Sequence, residues 1–154
     1  MLGDLQAGFR ELVSTAIASA LRDVGMQLRY RELPAANALA ALRSELAEER
    51  WAATRRLADL GEKAAVPRLI ALLEDAEALE IGVLAGALGR LGDGQAVAPL
   101  MAHIESVPTE VGVLIVDALA ALDTPEARNA LRRILDTHPL EGVRAAAKEH
   151  VGTR

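Results

Sequence analysis

The chain has no cysteine. That removes a disulfide framework, a thiolate nucleophile and any Cys-ligated metal. It has one Phe, one Tyr and one Trp, 2% of its 154 residues, against 51% hydrophobic residues in all. The apolar mass is therefore Ala, Leu, Val and Ile, the composition of close-packed helices, with Ala the best helix former. Lysine is almost missing: Lys63 and Lys148 stand among 17 basic residues, an Arg bias that reads as a GC-rich genome. No uninterrupted apolar run approaches the roughly 18 residues of a membrane span. Asp4 comes early and no apolar run follows it, so no secretory leader is expected and the expected location is cytoplasmic. The net charge of −5 argues against nucleic acid or an anionic membrane as the main partner.

What the chain does have is a period. Leu57, Leu88 and Leu119 are 31 residues apart, as are Leu60, Leu91 and Leu122, and Leu69, Leu100 and Leu131. Ala65, Ala96 and Ala127 keep the same step, and so do Leu73, Ile104 and Leu135. Five columns in one register mean stacked supersecondary units. Each unit reads as helix A, a tight turn, helix B and a short link. The A helices are expected at Arg50–Leu60, Ala78–Leu91, Thr109–Leu122 and Glu141–His150. The B helices are expected at Ala65–Glu74, Gln95–Glu105 and Pro125–Asp136. Gly61 and Gly92-Asp93-Gly94 close the first two A helices. Thr124-Pro125-Glu126 starts the third B helix as N-cap, N1 proline and first-turn acid. Ser44, Asp75, Ser106 and Thr137 share the step at the B-to-A junctions and are expected to cap the A helices. One inserted residue in the link 137–142 brings Val151 into the Leu57 column and Ala147 into the Ala53 column, and the last repeat is half present.

Two helices are expected ahead of the repeats. Asp4–Val24 carries an i, i+3, i+4, i+7 apolar stripe that includes Phe9, Leu12 and Ile17. It is expected to cap the stack, with Gly25 ending it and residues 1–34 forming cap and connector. Pro34 then opens a helix running to Leu46, with Ala38, Leu39, Leu42 and Leu46 as its apolar stripe. The expected fold is all-α: one solenoid-like domain of about nine helices in stacked antiparallel pairs.

The repeat has a family likeness. Arg50-Trp51-Ala52-Ala53, Leu60-Gly61 and Ala65-Val66-Pro67-Arg68-Leu69 resemble a HEAT-type repeat, and more narrowly the short HEAT-like repeats of phycobilisome (bilin) lyases. Ala87-Leu88-Gly89-Arg90-Leu91-Gly92-Asp93-Gly94-Gln95-Ala96-Val97 is similar to the centre of that unit, and Val143-Arg144-Ala145-Ala146-Ala147 to its opening. The family's Val-Arg is replaced by Glu80-Ile81 and Val111-Gly112 in the middle units. The resemblance covers about residues 35–151. It implies an α-solenoid, a class that mostly serves as docking scaffold.

Catalytic signals are absent from the sequence pattern. His103, His138 and His150 lack the i, i+4 spacing of a helical zinc site, and no metal or cofactor is expected. His103 shares a column with Leu72 and Ile134, at the core edge. Arg55-Arg56 and Arg132-Arg133 have acids nearby and no aromatic partners for a nucleic-acid strand. Gly82, Gly86 and Gly89 form a stripe on one A helix, which suggests close packing between repeats or else a smooth face where a partner backbone comes near.

A binding surface is expected on the B helices. With Val66, Leu69, Ile70 and Leu73 turned to the core, Ala64, Arg68 and Ala71 lie opposite. Carried along the repeat, that face reads Ala40, Ala71, Ala102 and Arg133, beside Asn37, Arg68, Pro99 and Ala130. In HEAT-like solenoids the B helices line the concave side, so partner binding is expected at Arg68, Ala71, Pro99, Ala102 and Arg133. The expected function is a non-catalytic scaffold or adaptor for another protein. A bilin-lyase-like enzyme or enzyme subunit is the alternative, and nucleic-acid binding is disfavoured. The unpaired last helix suggests self-association through the C-terminal end.

Overall fold

A computed structural model describes residues 24–25 and 29–152. Among them are eight α-helices and no strand. They are α1 (Ala35–Ala41), α2 (Ala47–Asp59), α3 (Val66–Leu73), α4 (Ala78–Leu91), α5 (Val97–His103), α6 (Thr109–Leu122), α7 (Pro125–Thr137) and α8 (Glu141–Gly152). The expected ninth helix, Asp4–Val24, lies outside the described residues apart from Val24; Gly25, expected to end it, is itself helical, as are Arg29 and Tyr30 in the expected connector.

The even-numbered helices are the A helices and the odd-numbered ones the B helices. Successive A helices pack side by side, α2 on α4, α4 on α6 and α6 on α8. Each B helix packs against the A helix that follows it: α1 on α2, α3 on α4, α5 on α6 and α7 on α8. The result is two layers with a continuous apolar seam between them. The repeat columns fill that seam. Leu57, Leu88 and Leu119 are fully buried, as are Ala65, Ala96 and Ala127. Leu60 departs from its column: it lies at the end of α2 and is exposed, whereas Leu91 and Leu122 are buried.

The A-to-B turns repeat as closely as the core. Gly61 (φ +66°), Gly92 (φ +70°) and Asp123 (φ +49°) occupy one column and all three take the left-handed conformation that ends an α-helix. The next residue in each unit is a side-chain cap. Glu62 accepts from Ala64 N–H at 3.3 Å, Asp93 from Gln95 N–H at 3.0 Å and Thr124 from Ala127 N–H at 3.1 Å. Glu62 and Asp93 cap short 3₁₀ turns, Lys63–Ala65 and Gly94–Ala96, so α3 and α5 start later than expected. Thr124 with Pro125 at the first position starts α7 directly.

The B-to-A links correct the expectation. The A helices are N-capped by Leu46, Glu77 and Pro108, none of them through a side chain. Of the expected capping column, Ser44 Oγ does accept from Leu46 N–H at 3.2 Å. Ser106 and Thr137 instead donate backwards, to the carbonyls of His103 and Arg133. A hydroxyl placed just after a helix finds the unpaired carbonyls of that helix closer than the N–H groups ahead.

The expected helix Pro34–Leu46 is also corrected. Pro34 is the residue before α1, and α1 ends at Ala41. Leu46 is 58% exposed and does not continue the buried stripe of Ala38 and Leu42. The break has a cause in Arg50. Its guanidinium takes the carbonyls of Ser44 and Glu45 at 3.0 and 3.1 Å and holds Glu80 with both oxygens at 2.7 Å. Those link carbonyls are thereby satisfied outside any helix. Arg144, three repeats on and one insertion later, does the same with the carbonyls of His138 and Pro139 at 2.6 and 3.0 Å. The arginine that opens the repeat is thus a clamp on the preceding link. Where Ile81 and Gly112 replace it, no such clamp exists, and Glu80 is spent on its neighbour's arginine. The Glu80 hydrogen bonds push the Arg50 guanidinium above its ordinary range against the opposing effect of burial, and the Glu80 and Glu48 charges add to the rise.

Candidate functional surfaces

The B-helix face is open over most of its length. Arg68 and Ala71 are exposed on α3, Ala102 on α5 and Arg133 on α7, while Pro99 is half-buried on α5. Ala130, in the column beside them, is buried at 8% exposure and belongs to the core edge. One shallow depression brings part of the set together. It lies between α5 and α7 and is lined by Ala98, Met101, Ala102, Glu126, Asn129, Ala130 and Arg133. Ala102 and Arg133 share it; Arg68, Ala71 and Pro99 do not line it. The floor is small because Ala98 and Ala102 occupy adjacent turns of α5. The rim carries both charge signs, Glu126 and Arg133.

The histidines are placed as parts of the scaffold. His138 is buried in the last B-to-A link, with Nε2 3.0 Å from Ile104 O and Nδ1 accepting from Leu140 N–H at 3.2 Å. His103 is half-buried at the end of α5. His150 on α8 meets Asp117 on α6 at 2.8 Å. Among the described residues no three His, Asp or Glu side chains converge as a metal site would require. Trp51 is half-buried on α2, and its indole Nε1 is buried with no hydrogen-bond partner among the described residues. Arg56 donates to Leu33 O at 2.8 Å and so ties the connector to α2. Tyr30 is buried beside it, and burial followed by the Glu49 carboxylate pushes its phenol up, against the opposing pull of Arg29.

Two further surfaces lie where the sequence already drew notice, at the C-terminal end and along the glycine stripe of α4. A small hollow at the C-terminal end lies between α6, α7 and α8, with Leu119 and Leu131 as floor and Arg128, Arg132 and His150 at the mouth. The other is the outer face of the A layer around α4, with Leu79, Val83, Gly86 and Leu114. Its signal in the sequence is a break in polarity between equivalent positions, which a search for shared columns passes over. The glycine stripe there divides. A Cβ on Gly89 would stand 2.8 Å from the Cα of Ala118, and one on Gly82 would stand 2.9 Å from Leu114 Cδ1. These two permit the close approach of α6. Gly86 has nothing within 4 Å of that position.

Helix pairs of one length, stacked in two layers around a shared seam, define an α-solenoid: a repeat protein whose working parts are its faces and ends. The PBS lyase HEAT-like repeat model matches residues 49–75 and 83–106, which are α2–α3 and the greater part of α4–α5. Both matched segments are HEAT-like repeats of that type. No curated protein matches it. Among the described residues no helix is long and apolar enough to cross a membrane.

Proposed function

We propose that the chain is a non-catalytic scaffold that binds another protein on its B-helix face, through Arg68, Ala71, Pro99, Ala102 and Arg133. The observation that carries this reading is the open depression between α5 and α7, where exposed alanines let a partner backbone approach the helices. A helix or an extended segment fits such a floor. Arg133 and Glu126 on the rim would set its register, since rim charges contribute orientation more than affinity. Arg68, on α3 and exposed, extends the surface toward the N-terminal end and suits a carboxylate on the incoming segment. The lyase-type alternative has less support, because three aromatic residues in the whole chain offer little to stack on a tetrapyrrole.

The test is Ala71→Glu with Ala102→Glu. Both positions are exposed helix surface, where a substitution usually shifts stability by under about 0.5 kcal/mol. The double variant keeps its helical circular dichroism and loses the proteins that the wild-type chain captures from its native lysate, identified by mass spectrometry. A folded double variant that captures the same proteins with equal yield removes the B-helix face from consideration. An absorbance change on adding bilin to the wild-type chain would favour the lyase reading instead.

A further inference from the structure

The outer face of α4 differs from the equivalent faces on both sides of it. Its outward stripe is Leu79, Val83, Gly86 and Arg90, spaced i, i+4, i+7, i+11 and so aligned along one side of the helix. Leu79 is 71% exposed, Gly86 and Arg90 are exposed and Val83 is half-buried. One repeat earlier, α2 has Glu48, Ala52, Arg55 and Asp59 at these positions. One repeat later, α6 has Glu110, Leu114, Asp117 and Ala121. The first position is Glu in both neighbours and Leu in α4. The third is Arg or Asp in the neighbours and Gly in α4. Leu114 of α6, 44% exposed, extends the apolar patch sideways over Gly82. Gly82 and Gly89 are explained by the approach of α6; among the described residues nothing explains Gly86, since none comes within 4 Å of the position a Cβ would take.

We propose that this face binds a second copy of the chain, α4 against α4 and antiparallel, with Leu79 of each copy seated over Gly86 of the other. The stripe is self-complementary: a protruding side chain and a vacant position lie seven residues apart on one helix, about 10 Å at 1.5 Å per residue. A two-fold axis midway between them brings each knob onto the other copy's gap, as an isologous contact requires. The charges select this register. The same operation lays α2 beside the second copy's α2 and faces Glu48 with Arg55, twice by symmetry. Both side chains are exposed, and among the described residues neither forms an ion pair, although the Glu48 charge also acts on Arg50. A slip that set Leu79 over Arg90 would face Glu48 with Asp59, which Arg90 already holds, so that register lacks the attractive Glu48–Arg55 pair. On the α6 side Glu110 faces Asp117, which His150 already holds at 2.8 Å, so the contact leans toward α2.

The experiment uses the full chain, followed by sedimentation equilibrium from low micromolar to several hundred micromolar. The wild type shifts from monomer to dimer. Leu79→Glu and Gly86→Asp, which restore the residue types of the neighbouring repeats, weaken the dimer by at least about tenfold while circular dichroism is unchanged. Glu48→Arg weakens it, and Glu48→Arg combined with Arg55→Glu recovers it. Because the chain has no cysteine, Leu79→Cys and Gly86→Cys chains can be mixed and oxidised. The mixture forms a disulfide-linked dimer, and Leu79→Cys alone does not. A wild-type chain that stays monomeric throughout overturns the proposal and leaves the face to a helix of a different protein. A dimer indifferent to Leu79→Glu and Gly86→Asp overturns it too, and points to another surface such as the C-terminal end.

Discussion

Gly86 and Gly89 stand three residues apart in the interior of α4, and the same substitution in the two places has opposite outcomes. Glycine in a helix interior is about 1 kcal/mol less favourable than alanine, so replacement by Ala brings that gain at either site. At Gly86 nothing among the described residues opposes it, because none has an atom within 4 Å of the new methyl. Gly86→Ala therefore stabilises the monomer by about 0.5–1 kcal/mol, in part by restricting the unfolded chain. At Gly89 the methyl would stand 2.8 Å from Ala118 Cα, 3.1 Å from its Cβ and 3.2 Å from its carbonyl oxygen. Backbone cannot rotate away as a side chain can, so α4 and α6 must separate along their whole contact. Overpacking of this kind costs about 1–3 kcal/mol, which exceeds the propensity gain over most of its range. Gly89→Ala thus has a net loss of up to about 2 kcal/mol. For a chain of this length each kcal/mol moves the midpoint by about 2–4 °C. Thermal and urea unfolding followed by helical ellipticity, at low micromolar concentration where self-association is minor, give the two signs directly. A rise in both variants would show that the α4–α6 contact has slack that the structure does not show, and the reasoning from close approach would fail.

Two further outcomes test the links and turns. Arg50→Met strips Glu80, a buried carboxylate, of both its hydrogen bonds and frees two link carbonyls; the loss is about 2–4 kcal/mol in urea unfolding, and adding Glu80→Met recovers part of it, because the penalty lies in the unpaired charge. Thr124→Ala removes the Ala127 N–H acceptor at the start of α7 and lowers stability by about 1 kcal/mol, whereas Ser106→Ala, at an expected cap that does not cap, changes it by less than about 0.5 kcal/mol.

Most of the architecture was legible in the primary structure because the signals are local and repeated. Leu57, Leu88 and Leu119 meet the same environment three times, so their column marks the seam and the 31-residue step sets the unit. Breakers such as Gly61, Gly92 and Pro125 act on the backbone of their own residue, and the A helices α4 and α6 begin and end where the pattern places them. On the B-helix face the exposure of Arg68, Ala71, Ala102 and Arg133 was legible from the helical period, whereas Pro99 is half-buried and Ala130 buried. What failed were choices between neighbouring partners. Ser106 had both a free carbonyl behind it and free N–H groups ahead, and the chain's own turn decided between them.

The tertiary structure alone decided which residues meet across repeats. Arg50 breaks the helix expected to Leu46 by reaching link carbonyls five and six residues back and a carboxylate 30 residues on. Only packing separates Gly82 and Gly89, pressed against α6, from Gly86, which faces open space. The sequence by itself determines an all-α repeat, since periodicity records which side of each helix avoids water. The distances between layers, and hence which small residue is a contact and which an opening, depend on helices from different repeats and are fixed only when those helices pack.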